Sequence, residues 1–292
     1  MRLGAIEAGG TKMVLAVADE NLQILYRLTL PTKEPEETVA GMMAFFKAHP
    51  VDALGIGSFG PLDLNPASAS FGSITKTPKL PWRDFPLLSV FQQELQVPCC
   101  LDTDVNAAAL CEAALGAGRG LQNCVYVTVG TGIGGGVYAQ GQLVHGLMHP
   151  EVGHMLLRSH GDDPAPEGFC PYHAGCLEGL ASGPAMEKRW GAAPRDLPPG
   201  HPAWTLEAYY LAQMCMNLMM TLSPEKIILG GGVMSQRHLF PMVRREMLAL
   251  MNGYIPCVEE ADSLIVPPEC WPDSGLLGAL LLAQQAVTKE KE

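Results

Sequence analysis

Two apolar stretches, Cys124 to Val129 and a second resuming at Val137, flank a heptapeptide with five glycines, Gly130-Thr131-Gly132-Ile133-Gly134-Gly135-Gly136. Each glycine gives up more backbone freedom on folding than any other residue, so this many in one place is costly. A plain hairpin needs far fewer. Backbone without Cβ atoms can approach a ligand closely, and successive N–H groups can converge on an anion. The segment therefore predicts strand, phosphate-binding turn, strand. It is not a Walker A loop, because no Gly-Lys-Ser/Thr follows, and not a dinucleotide fingerprint, because it leads into a strand instead of a helix.

The same plan occurs near the start of the chain. Leu3 to Ala8 reads as a strand, Gly9-Gly10-Thr11-Lys12 breaks it, and Met13 to Val17 resumes it. Here a hydroxyl and an ammonium could add donors to the backbone N–H groups, although a plain hairpin turn is the simpler reading of this motif alone. A third glycine cluster, Gly230-Gly231-Gly232, follows the strand Lys226 to Leu229 and precedes Val233-Met234. By itself it reads as an ordinary strand-to-helix turn.

Between these turns the pattern alternates. Leu22 to Leu30 and Ala53 to Ser58 read as strands. Helical spacing marks Glu36 to Ala48, Leu87 to Leu95, Val105 to Leu115, Trp204 to Leu222, Leu239 to Met251 and Gly275 to Gln285. Asn65 to Trp82, rich in Ser, Thr, Pro and Gly, predicts an irregular loop over a site. The repeated strand–turn–strand unit predicts two α/β lobes of related plan. We divide them as 1–117, joined by the last helix (275–290), and 118–274, which carries a loop at 149–178.

Composition narrows the function classes. The chain has 292 residues, 48% hydrophobic and 17% charged, as a globular protein does, and a formal net charge of -11. An acidic surface disfavours nucleic acid and anionic membranes as partners, yet local backbone N–H clusters can still hold phosphate. The sequence shows no secretory leader, and its most apolar stretch, Gly275 to Ala286, is too short to span a bilayer. The cysteines are nine and scattered, so reduced thiols and a cytoplasmic location are expected.

Four residues stand apart from that expectation. Cys170-x-x-His173-x-x-Cys176 follows His154 by sixteen residues. Two thiolates and two imidazoles suit a tetrahedral, closed Zn²⁺ site. The intervening loop is too polar to build a core of its own, so a metal staple gives it a reason to hold shape. His145, His149 and His160 are nearby alternatives. The plain reading is a pair of free cysteines with surface histidines.

The three glycine turns in this order, with Asp102-Thr103-Asp104-Val105-Asn106 between the first two, resemble the ROK (repressor, kinase, open reading frame) family. Within it they are most similar to the zinc-containing bacterial fructokinase branch. The resemblance runs from Gly4 to about Gly278. It implies the two-lobed actin-like, ribonuclease-H-like ATPase fold with ATP and sugar in a central cleft. The implied reaction is transfer of the ATP γ-phosphoryl to the 6-hydroxyl of D-fructose, with Mg²⁺ as cofactor and a structural Zn²⁺. The same chemistry on mannose or glucose is the near alternative. A sugar-sensing regulator is the distant one, disfavoured because the first strand begins at Leu3 and leaves no room for a helix-turn-helix.

The resemblance carries over residue by residue. Gly9, Gly10, Thr11 and Lys12 match the first phosphate loop. Thr131, Gly132, Gly134 and Gly135 match the second, and Gly230, Gly231, Gly232, Val233 and Met234 the adenosine-side loop. Pro184 is expected near the nucleotide. Asp104 holds the position of the catalytic carboxylate. Read without the family it would be a helix N-cap. Thr103, Asn106, Glu151 and Glu178 are candidates to frame the sugar, and His154, Cys170, His173 and Cys176 to bind zinc. The family pattern opens its first loop with Asp, where this chain has Glu7. Dimers are common in the family, so a homodimer is expected.

Overall fold

The computed structural model describes residues 1–255 and 261–289; residue 290, counted above in the last helix, lies outside them. The chain divides into two units. Unit 1 comprises Met1–Leu115, Leu143–His149 and the segment from Cys270 onward, and unit 2 comprises Gly116–Gln142 and Pro150–Glu269. Leu143–His149 thus groups with unit 1, not with the residues on either side of it.

Unit 1 is built on β1 (Arg2–Ala8), β2 (Lys12–Asp19), β3 (Ile24–Pro31), β4 (Ala53–Ser58) and β5 (Cys99–Thr103). Their order is β3-β2-β1-β4-β5, with β1–β2 and β2–β3 antiparallel and β4 and β5 added in parallel. The third strand starts two residues later than the hydrophobic pattern predicts, because Leu22 adopts φ 65° in the preceding turn. Helices α1 (Pro35–Ala48), α2 (Leu87–Leu95) and α3 (Asp104–Ala114) and a last helix, Ser274–Lys289, complete the unit.

The two faces of this sheet differ in grain. One is large-grained, with Ile6, Met13, Leu15, Phe46, Trp82 and Phe91 packed together. The other is richer in small residues, Ala5, Ala16, Ala18 and Ala53 beside Leu3 and Val14, against Leu276, Ala279, Leu280 and Ala283 of the last helix. Small side chains let backbones approach closely. A Cβ on Gly55 would overlap the Ala279 carbonyl oxygen, and one on Gly278 would overlap the Ala107 carbonyl oxygen. The last helix is therefore wedged between β4 and α3.

Unit 2 repeats the strand plan. It has β6 (Cys124–Val129), β7 (Ile133–Ala139), β8 (Gln142–Leu143), β9 (Lys226–Gly230) and β10 (Ile265–Val266), in the order β10-β9-β6-β7-β8. Read from β8, this is the order of the first sheet: hairpin strands, then two parallel strands beside the first strand of the hairpin. Its helices are α4 (Leu177–Ala181), α5 (Gly183–Trp190), α6 (Ala203–Leu222), α7 (Leu239–Met251) and α8 (Ala261–Leu264). In α6, Met214 and Met219 belong to the core.

One reading of the glycine heptapeptide needs correction. The second strand does not wait for Val137; it begins at Ile133, so Gly134, Gly135 and Gly136 are strand residues. The turn itself is only Gly130–Gly132, closed by the Gly130 N–H donating to the Gly132 carbonyl at 2.9 Å. Gly135 has a packing reason as well. A Cβ there would stand 2.7 Å from Val152 Cγ2, on the short 3₁₀ turn that lies against β7.

Candidate functional site

In unit 1 the site residues gather at the ends of β1 and β5. The Gly9 N–H donates to the Lys12 carbonyl at 3.0 Å, closing a tight turn between β1 and β2. Thr11 and Lys12 are exposed on that turn. Asp104 opens α3. The capping role that a plain reading would give it belongs to Thr103, whose Oγ1 accepts the Asn106 N–H at 3.0 Å. Asp104 Oδ1 accepts the adjacent Val105 N–H at 2.9 Å. A carboxylate in the first turn of a helix lies at the positive end of the helix dipole.

Around Asp104 the neighbours are locked. Asp102, 4% exposed, accepts through Oδ1 from the Thr103 N–H (2.8 Å) and from Asn106 Nδ2 (2.7 Å). Its Oδ2 lies 2.8 Å from His145 Nε2. Thr103 and Asn106 are buried, so both serve first to fix the start of α3. Sequence reasoning missed the Asp102–His145 pair, because nothing in the spacing couples residues 43 apart. Of the histidines considered as alternative zinc ligands, His145 is thus taken by Asp102. His149 Nε2 accepts from the Leu62 N–H at 3.0 Å, and His160 Nδ1 accepts from the Asp162 N–H at 3.1 Å.

Glu7 lies in β1, half-buried, and burial pushes its carboxyl above the ordinary glutamate value of 4.5. Lys12 opposes the shift and Asp273 adds to it. A raised folded-state value means folding favours the protonated form. That contribution is complete below the ordinary value and is lost as pH rises through the raised one. Glu7→Gln should therefore flatten the pH dependence of stability above pH 4.5 and leave the protein no less stable at neutral pH. Urea midpoints measured across pH check this, and an unchanged slope would count against it.

In unit 2 three distant segments meet. The Gly183 N–H donates to the Gly130 carbonyl at 2.8 Å, which brings the segment before Pro184 against the β6–β7 turn. A Cβ on Gly130 would lie 3.9 Å from the Gly232 nitrogen. Gly231 adopts φ 90° against Val129 backbone, a conformation and clearance that only glycine supplies. The Val233 and Met234 side chains are buried, so what they can offer a ligand is backbone. Gly130–Gly132, Gly183–Pro184 and Gly230–Gly232 thus form one small-residue surface lined with peptide groups.

A carboxylate ties this surface to the Cys/His loop. Glu178 Oε2 accepts the Ile133 N–H at 2.9 Å, and a Cβ on Gly132 would sit 2.7 Å from the same oxygen. Glu151 is accessible to solvent by area, but surrounding protein desolvates its carboxyl and Glu178 adds like charge, which together push it up to about 7. The two acids expected to frame a sugar are therefore neighbours.

The ligand atoms of His154, Cys170, His173 and Cys176 all lie within 4.8 Å of one another. Cys170 Sγ is 3.9 Å from both His154 Nδ1 and His173 Nδ1, and Cys176 Sγ is 3.8 Å from His154 Nδ1. A tetrahedral zinc with ordinary bond lengths has sulfur–nitrogen edges of about 3.5 Å, so the donor set fits that ion in type and spacing. The Tyr172 and Gly179 N–H groups donate to the Cys170 and Cys176 sulfurs at 3.5 Å each and hold them in place. The loop is also clamped without metal. Asp163 Oδ1 accepts from Arg189 Nε at 2.8 Å, its Oδ2 accepts from the Tyr210 hydroxyl at 2.5 Å, and Gln213 exchanges two bonds with the Arg158 backbone.

The arrangement thus offers two glycine turns, a carboxylate at a helix start and a four-donor metal cluster. The ROK family profile matches residues 3–286. The chain belongs to the ROK family. Among relatives, this ROK protein is 48% identical to a fructokinase of Pediococcus pentosaceus over 98% of this chain and 99% of that one. It is 44% identical to a fructokinase of Zymomonas mobilis over 98% and 97% of the two chains. A ROK hexokinase from Thermus thermophilus superposes with a TM-score of 0.81 at 27% identity, covering 99% of this chain and all of that one. A ROK family glucokinase from Streptomyces griseus, solved with glucose and AMPPNP, gives a TM-score of 0.78 at 26% identity over 98% and 100% of the chains. The fold is accordingly the actin-like ATPase fold shared by these ROK sugar kinases.

Proposed function

We propose that this protein transfers the γ-phosphoryl group of ATP to the 6-hydroxyl of D-fructose. The observation that carries the reading is the repeated hairpin turn, Gly9–Lys12 in one sheet and Gly130–Gly132 in the other, joined to near-full-length similarity to fructokinases. In this reading the peptide N–H groups of both turns bind phosphate, and Gly183–Pro184 and Gly230–Met234 take the nucleotide's adenosine side. Asp104 accepts the proton that leaves the sugar hydroxyl as its oxygen attacks phosphorus. Glu151 and Glu178 accept hydrogen bonds from sugar hydroxyls. Mg²⁺ would arrive with the nucleotide and neutralise developing phosphate charge. Among the described residues no helix is long and apolar enough to cross a membrane, and we place the reaction in the cytoplasm, with free small-molecule substrates.

A coupled ADP-release assay on a panel of fructose, mannose, glucose and amino sugars tests the assignment. Fructose should show the highest kcat/KM. Turnover confined to glucose or mannose would reassign the substrate, and no turnover on any sugar would remove the kinase reading.

The Cys/His cluster holds zinc in this reading, and the metal orders the loop between Glu151 and Glu178. Four protein donors leave no open coordination position, so the ion acts by holding backbone and not by activating water. Metal analysis of purified protein should return one zinc per chain, and Cys176→Ala should lose it. Chelation should lower the melting temperature without unfolding the chain at room temperature, because the Asp163–Arg189–Tyr210 clamp persists. A metal-free protein that melts and turns over as the native one does would contradict this role.

A further inference from the structure

The first glycine turn has a neighbour that the function above leaves unused. A Cβ on Gly10 would lie 3.1 Å from Lys79 Cε and 4.0 Å from Lys79 Nζ. The lysine stem therefore passes across the turn at the one position where a side chain would obstruct it. Lys79 belongs to Asn65–Trp82, the irregular loop that the sequence predicts over a site.

The base of this lysine is rigid. Its N–H donates to Thr77 Oγ1 at 3.3 Å, and its carbonyl accepts the Trp82 N–H at 2.9 Å. Thr77 and Trp82 are 1% and 2% exposed. The Trp82 indole N–H donates to the Lys33 carbonyl at 2.8 Å, and its ring packs edge-on against Phe59 and Phe85. The stem thus starts from a fixed point in the core of unit 1, and the half-buried lysine is held over the turn.

Charge points the same way. The chain has 30 acidic and 19 basic residues, so a cationic spot on it is local. Among the described residues, no ion pair joins Lys79 or Lys12 to a carboxylate. Two ammonium groups, of which Lys12 also acts at longer range on Glu7, border a turn whose N–H groups are already suited to an anion. A lysine that merely laid its stem on protein surface would need no glycine beneath it.

We propose that Lys79 is a phosphoryl-binding residue of this enzyme, its ammonium joining Lys12 and the Gly10 backbone on a terminal phosphate group. The inference rests on the kinase reading and extends it to a residue outside the three glycine turns. The ligand chemistry is a doubly charged phosphoryl group. That group has two sources, the γ-phosphate of the nucleotide and the 6-phosphate of the sugar product. Lys79 performs no covalent step. It neutralises charge on the phosphoryl oxygens, as a charge-assisted donor in a fixed position does.

The test compares native protein with Lys79→Met and Lys79→Arg by calorimetric titration of ADP, AMPPNP and fructose 6-phosphate, alongside kcat. Thermal melts establish that the variants fold. Lys79→Met should weaken AMPPNP or fructose 6-phosphate by about tenfold or more while leaving ADP unchanged, since one lost charge-assisted bond to a phosphate is worth about that factor. It should lower kcat by about 10²-fold, as removal of one transition-state donor does, and Lys79→Arg should recover part of both losses. A loss confined to AMPPNP places the lysine on the γ-phosphate, and one confined to fructose 6-phosphate places it on the product. An equal loss for all three ligands, or no loss for any, overturns the proposal. The titrations need no turnover. A protein that phosphorylated no sugar would sink the kinase reading, and the Lys79 result would still be decided by the binding data.

Discussion

Asp104→Asn should lower kcat by roughly 10²–10⁴-fold, the range expected when a positioned general base is lost. ATP affinity should stay within a factor of about two, well under the tenfold that 1.4 kcal/mol represents. The amide keeps the size of the carboxylate and leaves the Thr103 cap intact. It cannot accept the hydroxyl proton. A fall in kcat with retained nucleotide binding and an unchanged melt assigns proton acceptance to this residue. Near-native turnover in Asp104→Asn would end the proposed mechanism. Asp102→Asn is the informative companion. Asp102 carries the bonds to Thr103, Asn106 and His145. Its replacement should disturb stability and the placement of Asp104 together, with losses in both melt and kcat.

The second large effect is on stability. Gly55→Ala should destabilise the protein by at least about 3 kcal/mol, at or above the upper end of ordinary overpacking. The new Cβ would overlap the Ala279 carbonyl oxygen and stand 2.6 Å from the Ala283 nitrogen. These are backbone atoms of a helix, so no side chain can rotate away. Either the last helix moves off β4 or the strand bends. Gly278→Ala should act alike, through the Ala107 carbonyl on α3. Gly200→Ala is the control, since a Cβ there meets nothing within 4 Å; it should change stability by less than about 0.5 kcal/mol. Equal urea midpoints for Gly55→Ala and Gly200→Ala would show that the close helix–strand approach is not required.

Much of this was legible in the sequence because it depends on local chemistry. Glycine turns between apolar runs at residues 9 and 130 announce hairpins, and the Cys-x-x-His-x-x-Cys run announces a metal cluster. Both signals lie within a few residues. What stayed hidden depends on partners far along the chain. Gly135 reads as part of a ligand loop until Val152 is seen against it. The contact of Asp102 with His145 joins residues 43 apart and appears only in the fold. Lys79 reads as a loop lysine until the empty side of Gly10 is seen beneath it. Helices α4 and α5 were missed for another reason. Five and eight residues are too few to show a helical period, and their starts rest on the Cys176 sulfur and the Ser182 hydroxyl. At Asp104 the plain helix-cap reading fails because a threonine one residue earlier takes the cap.

The wedge formed by Ser274–Lys289 has a consequence for biosynthesis. On the ribosome, β1 and β4 emerge more than two hundred residues ahead of the helix that seals one side of them. Until then the alanine-lined face of that sheet has no cover, while unit 2, which ends at Glu269, can already close. The first-made half of the protein is thus the last to be finished, and its nascent sheet is the surface on which a chaperone would have most to do.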